Sequence, residues 1–261
     1  MFRKIVHDRT ADAVISQIED LVLDGVLRPG DRLPAERELS AELDVSRPIL
    51  RAALKELEVR HLVASRPGEG TYVAEILGTV FKEPMVGLVR RHPRAIADYL
   101  EFRREVEGLA SAFAAERATA ADIAILDRIL AAMEAAHADA DPAAESRLDV
   151  EFHMAIVEAA HNIVLLHTMR SSYQLMAEGV FHNRDRLYAH APYRLSLLEQ
   201  HRAIHAGIAA GDPEAARRAA EDHIAFVERA LKAVGETLAR EANAARRLAK
   251  YERAATRTLA S

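Results

Sequence analysis

The sequence has no cysteine and no tryptophan among its 261 residues, and aromatic side chains make up only 5% of it. Without cysteine, disulfides and thiolate metal sites are excluded, so any metal would have to be held by nitrogen and oxygen ligands. Few aromatics beside abundant alanine and leucine suit packed helices better than a sandwich or a barrel. No apolar run reaches the roughly 18 residues that a membrane span needs. The N-terminus, Met1-Phe2-Arg3-Lys4, has no apolar signal region behind it. The expectation is a cytoplasmic protein with no membrane partner.

A basic surplus is missing as well. The net charge is −5, and residues 1–76 carry 11 Lys/Arg against 14 Asp/Glu. Composition therefore gives nucleic-acid binding no support, and that case rests on where the arginines sit. What the chain does have is length enough for two domains and an apolar share of 50%, enough for a core.

Apolar spacing and turn residues predict a mostly α fold. A helix over Arg9–Leu23 sets Val14, Ile18, Leu21 and Val22 on one face and ends before Gly25 and Pro29-Gly30. A short second helix opens at Pro34 and runs to Leu43. A third, with Ser46 at its cap and Pro48 in its first turn, continues through Leu50, Leu54 and Leu57 to about Arg60. Leu62-Val63-Ala64-Ser65 and Thr71-Tyr72-Val73 are β-prone runs around the turn Arg66-Pro67-Gly68-Glu69-Gly70. Helix, helix, turn, helix and hairpin make a winged helix-turn-helix over residues 1–76. Breaks near Pro93, Thr119, Pro142, Asn162, Pro192 and Pro213 divide residues 79–250 into about seven helices. These give a connecting segment over 77–94, a helical bundle over 95–235, and an Ala/Arg/Glu-rich tail over 236–261. The tail reads as a helical extension or a partly disordered segment.

In a winged helix-turn-helix, the N-terminal residues of the third helix face base edges in the major groove. Here those are Ser46, Arg47 and Pro48, with Arg51 one turn on, and Arg37 on the preceding helix can reach the same strand. An arginine fork suits guanine O6 and N7. Lys55, Arg66 and the glycine-flanked wing suit phosphates or the minor groove. On an isolated helix Arg47 and Arg51 would read as a solvated face; the attached turn and wing favour the DNA reading.

Residues 31–73 contain, in order, Leu33-Pro34-Ala35-Glu36-Arg37-Glu38-Leu39, Val45-Ser46-Arg47-Pro48, Leu50-Arg51 and Gly68-Glu69-Gly70-Thr71-Tyr72-Val73. This stretch resembles the DNA-binding domain of the GntR family. The resemblance implies DNA contacts from Arg37, Ser46, Arg47, Arg51 and Gly68, and a homodimer reading an imperfect palindrome. Two departures stand out: Ala52 where an acidic residue is common, and Glu69 inside the wing's usual glycine run.

The helical region holds polar residues on faces that should be apolar. Asp149 and His153 are spaced i, i+4 and share a face with Phe152 and Ile156. His201 interrupts Leu197, Ile204 and Ile208, and His223 interrupts Ala216, Ala220 and Val227. Buried charges and imidazoles need partners. One divalent cation could satisfy a carboxylate and three imidazoles, zinc first, with nickel, manganese or iron open to the same ligands. Among twelve histidines some fall on inner faces by chance, and a lone buried imidazole is commonly just hydrogen-bonded. His205 is the alternative to His201; His161, His167, His182 and His190 read as surface or local structure. In the helix after Pro93, the stripe Ile96, Tyr99, Arg103, Val106, Ala110 and Phe113 includes a guanidinium that wants a carboxylate. That carboxylate is either an outside ligand's or an internal acid such as Glu107.

Residues 95–233 resemble the FCD domain of the FadR subfamily through Glu101-Phe102-Arg103 with Glu107, Asp149-Val150-Glu151-Phe152-His153, Glu158-Ala159-Ala160-His161-Asn162, Glu199-Gln200-His201 and Asp222-His223. The resemblance implies that Asp149, His153, His201 and His223 hold one metal per chain. It also implies that an effector's carboxylate completes the coordination and that Arg103 clamps the acid. The run from Ala159 to Arg170 is similar to the lactate- and pyruvate-responsive branch. Retention of the metal residues points within it to L-lactate or a related 2-hydroxy acid, whose carboxylate and hydroxyl can chelate one cation. The expectation is a DNA-binding transcription regulator, a repressor, and not an enzyme. A carboxylate sensor with a structural metal and a helical metallohydrolase are the competing readings.

Overall fold

The computed structural model describes residues 10–75, 87, 92–175, 187–188 and 191–259. The chain forms two compact units, Met1–Val80 with Asn162–Ser171, and Phe81–His161 with Ser172–Ser261.

In the first unit, α1 (Ala11–Leu23) starts where the Thr10 side chain accepts a hydrogen bond from the Ala13 N–H. Its buried Val14, Ile15, Ile18 and Val22 form one apolar stripe. Then follow α2 (Glu36–Glu42) and α3 (Arg47–Val59), whose Leu50, Ala53, Leu54 and Leu57 are buried. These residues share one core with Leu33, Leu39, Val63 and Val73. Strands β1 (Val63–Arg66) and β2 (Gly70–Val73) pair antiparallel, from Val63 opposite Val73 to Arg66 opposite Gly70. Gly68 and Gly70 hold φ of 79° and 113°, which side-chain-bearing residues adopt only with strain. Arg32 adds a bridge to Tyr72, so the link between α1 and α2 braces the wing. The winged helix-turn-helix is thus present, with each element within a few residues of its expected bounds.

The remaining described helices are α4 (Pro93–Arg117), α5 (Ala120–Ala138), α6 (Pro142–Ala159), α7 (Ile163–Leu175), α8 (Ala191–Ala209) and α9 (Pro213–Leu259). About seven were expected; six stand among the described residues. Their starts follow local chemistry. Thr119 and Asp122 form a reciprocal capping box for α5, and the Asp141 carboxylate accepts from the Ala143 and Ala144 N–H groups at the start of α6. Proline stands in the first turn of α4 and α6. In the second unit α9 lies along α4 and α8, and α5 packs on α6. No helix among the described residues is long and apolar enough to cross a membrane. The tail is helical through Leu259. The connecting segment 77–94, for the most part, and His182 and His190 lie outside the described residues.

His167 departs from expectation. It was expected at the surface, yet it is 3% exposed, because Val22, Leu23, Leu62 and Ile163 line the pocket around it within the first unit. Burial, with Arg170 nearby, lowers its pKa and favours the neutral ring. His161 is exposed, with Nε2 3.0 Å from Asp122, as local structure.

Gly207 fixes how closely α8 and α9 approach. A Cβ placed there would stand 2.7 Å from the Ala216 nitrogen and 2.8 Å from its Cα. Backbone cannot swing aside. A glycine-to-alanine change at an unstrained site stabilises by about 0.4–1 kcal/mol; Gly207→Ala is expected instead to destabilise by roughly 1–3 kcal/mol, read as a lower thermal midpoint.

Candidate metal centre and DNA-reading surface

The stripes interrupted by histidine do face inward. Asp149 and His153 on α6, His201 on α8 and His223 on α9 are all buried, His201 completely. Their ligand atoms lie within 4.8 Å of one another. His153 Nε2 is 3.2 Å from His223 Nε2 and 3.4 Å from His201 Nε2. Asp149 Oδ1 is 3.2 Å from His201 Nε2 and 3.9 Å from His153 Nε2. Phe152 packs against the site, its ring edge-on to His153 and His201. Burying so large a side chain is worth about 1.5–3 kcal/mol, which helps hold three helices in register around the cluster.

Oxygens close behind the rings bear on which nitrogen faces in. His153 Nδ1 stands 2.9 Å from Glu107 Oε2, and His223 Nδ1 stands 3.0 Å from Gln200 Oε1. Both oxygens accept only, so each Nδ1 carries the proton and each Nε2 turns a lone pair inward. The His153 and His223 lone pairs, meeting at 3.2 Å, repel unless a cation or proton lies between them. Metal–nitrogen bonds of about 2.0–2.1 Å place tetrahedral neighbours about 3.3–3.4 Å apart. The cluster could therefore hold a metal ion, and its three nitrogens and one oxygen fit zinc, nickel, manganese or iron. Burial, then the neighbouring His201 and His153, holds the His223 pKa well below the usual imidazole range, which keeps it a neutral ligand. Tyr188 donates to Asp149 Oδ1 at 2.8 Å and steers that carboxylate. His205 is not part of the cluster; its Nε2 is 2.7 Å from Asp127.

Arg103 is buried and its Nε donates to Glu107 Oε1. Its guanidinium lies 5.1 Å over the Tyr173 ring. The internal acid is therefore present, and it bridges the guanidinium to a cluster histidine. Burial alone would raise the Glu107 pKa, but Arg103 and His153 outweigh it and keep the carboxylate ionised. Acceptors behind metal-binding imidazoles commonly govern affinity. Glu107→Ala is expected to weaken zinc binding about 10–100-fold in a chelator competition, with Glu107→Gln recovering part of the loss.

Sequence reasoning had named Glu107 only as a partner for Arg103, and it gave Gln200 and Tyr188 no role. Gln200 could have been flagged as the neighbour of His201. Nothing local marks Tyr188, because its contact crosses from another segment.

On the first unit, Arg37, Ser46, Arg47, Pro48, Arg51 and Gly68 are all exposed. Ser46 occupies the N-cap of α3 but makes no side-chain capping bond, so its hydroxyl is not committed to the helix. Arg51 Nε is 2.8 Å from Glu36. In the wing, Arg66 lies 3.8 Å from Glu69 and 4.4 Å over the Tyr72 ring, which offsets the negative charge that Glu69 brings.

A winged helix-turn-helix followed in sequence by a helical unit with a buried ligand cluster has the layout of a ligand-controlled DNA-binding regulator. Residues 10–73 match the description "Bacterial regulatory proteins, gntR family", and residues 98–226 match "FCD domain". The chain belongs to the GntR family, in the FadR subfamily that carries an FCD domain, and is a DNA-binding transcription regulator. It is 38% identical, over 93% of its length and 94% of the relative's, to an Escherichia coli (strain K12) protein named for regulation of the L-lactate dehydrogenase operon. It is 33% identical to the Glc operon transcriptional activator of the same organism, over 84% of this chain and 88% of the relative. It is 31% identical to the HTH-type transcriptional regulator LutR of Bacillus subtilis (strain 168), over 80% and 94% respectively. Among solved structures it is similar to Streptococcus agalactiae GntR, with a TM-score of 0.51 and 26% identity over 84% of this chain and 99% of that one. The relatives named here are transcription regulators, not enzymes.

Proposed function

We propose that the chain is a cytoplasmic, homodimeric repressor that releases a palindromic DNA operator when a small carboxylate binds a metal at Asp149, His153, His201 and His223. The observation that carries this reading is the convergence of three buried Nε2 atoms and one carboxylate, two of the imidazoles oriented from behind by acceptor oxygens. Nitrogen-rich fourfold ligation puts zinc first, with nickel, manganese and iron next. The metal supplies a point of coordination for the effector's oxygens. L-lactate or a related 2-hydroxy acid is the proposed effector, supported by similarity to the regulator named for the L-lactate dehydrogenase operon. Arg103 is the proposed partner of the effector's carboxylate. Because Glu107 engages its Nε, the acid meets the Nη edge or displaces Glu107. In the DNA-binding unit, Ser46, Arg47, Pro48 and Arg51 face base edges, Arg37 reaches the same strand, and Gly68 lies in the wing that meets phosphates or the minor groove. The effector shifts the operator-binding arrangement only if it binds the two arrangements with unequal affinity.

Thermal shift with L- and D-lactate, glycolate, pyruvate, citrate and succinate, before and after chelation, tests this. A ligand that binds only the folded state raises the midpoint by mass action. L-lactate is expected to raise it and the chelator to abolish the effect. Stabilisation that survives chelation would make the metal structural, and no shift from any acid would remove lactate.

A further inference from the structure

Beyond Glu241, the described part of α9 is largely bare of contacts with other described elements. Every residue over 239–248 is exposed, and Leu238 and Ala249 are only half-buried. From Thr237 to Ser261 the sequence sets six Arg/Lys against two Glu, while the rest of the chain has 29 against 38. The basic residues are not scattered around the helix. Arg240 and Arg247 are two turns apart, Arg246 and Arg247 precede Lys250 by four and three residues, and the sequence keeps this spacing through Arg253 and Arg257. Leu238, Ala245 and Leu248 fall on the opposite face. Arg246, Arg247 and Lys250 make no ion pair among the described residues.

Such a helix opposes its own formation. Like charges three and four residues apart destabilise it, and no packed face offsets that over 239–248. A polyanion laid along the basic face would remove that repulsion. At about 1.5 Å per residue, Thr237–Leu259 spans about 35 Å, close to the ~34 Å of one turn of duplex DNA. The winged unit itself carries an acidic excess, so it gains little from the sequence-independent attraction that draws regulators to DNA. We infer that the basic face of the α9 extension is a second DNA-binding surface, which contacts phosphates without reading sequence.

The test uses the full chain and a 30-base-pair duplex of random sequence, followed by fluorescence anisotropy across a salt series. Arg246→Gln, Arg247→Gln and Lys250→Gln together should flatten log K against log salt by roughly 3 and weaken binding at low salt at least tenfold, since each phosphate contact contributes about 0.9 to the slope. The far-ultraviolet helix signal should rise on adding the duplex to the parent and rise less for the triple variant. Ala245→Gln with Leu248→Gln, on the opposite face, should leave the slope unchanged. An unchanged slope in the triple variant overturns the inference. So does a slope that responds only to the Ala245 and Leu248 pair, together with a change in oligomeric state by sedimentation, which would make the extension a helix-pairing surface.

Discussion

Replacing His201 with alanine should strip the protein of bound metal and, in the same step, of its response to carboxylates. His201 Nε2 stands close to both Asp149 Oδ1 and His153 Nε2, at 3.2 Å and 3.4 Å. Losing an acceptor behind a ligand costs about 10–100-fold in affinity; losing the ligand itself costs more, because the bond goes too. His205 is not placed to substitute: it is one turn along α8 and its Nε2 already lies against Asp127. Dialysis against a mild chelator followed by elemental analysis should give about one metal per chain for the parent and close to none for His201→Ala. The variant's thermal midpoint should then be indifferent to chelator and to L-lactate. Full metal content in the variant would remove His201 from the site. Metal loss with an intact lactate shift would separate sensing from the metal.

Much of this site was legible because its residues violate a pattern. A stripe such as Leu197, His201, Ile204, Ile208 has one polar member, and the fold buries all four. Helix starts were legible because proline and capping side chains act within one turn, as at Thr119 and Pro142. What spacing could not supply was contact between helices. Arg103 and Glu107 are four residues apart on α4, so their pairing follows from helical geometry. The approach of Glu107 Oε2 to His153 on α6 depends on how two helices are set side by side, and no local pattern encodes that. Tyr188 reaching Asp149 and the burial of His167 were hidden for the same reason. Ser46 shows the converse: its position at the helix start was readable, but whether its hydroxyl caps the helix was not.

Arg47→Ala should abolish sequence-specific DNA binding while leaving the metal in place. Arg47 is the first residue of α3, exposed, and without an ion pair among the described residues, so it can meet a base edge without surrendering a protein contact. Arg51 differs. It must exchange Glu36, 2.8 Å away, for DNA, and its replacement should cost less. A bidentate arginine–guanine contact discriminates by roughly 1–3 kcal/mol, and a two-fold complex makes it twice. The combined loss of roughly 2–6 kcal/mol would bring specific binding close to the non-specific level. Duplexes selected from a randomised pool by the parent protein provide the probe, with an unselected duplex as reference. The variant should lose affinity for the selected duplex by about 30-fold or more, and lose much less on the reference, since one charge among many phosphate contacts is a small part of that binding. Equal losses on both duplexes would reassign Arg47 to the phosphate backbone. Loss of metal alongside DNA binding would show that the two units do not fold independently, and the winged unit could then no longer be treated as a separate reading head.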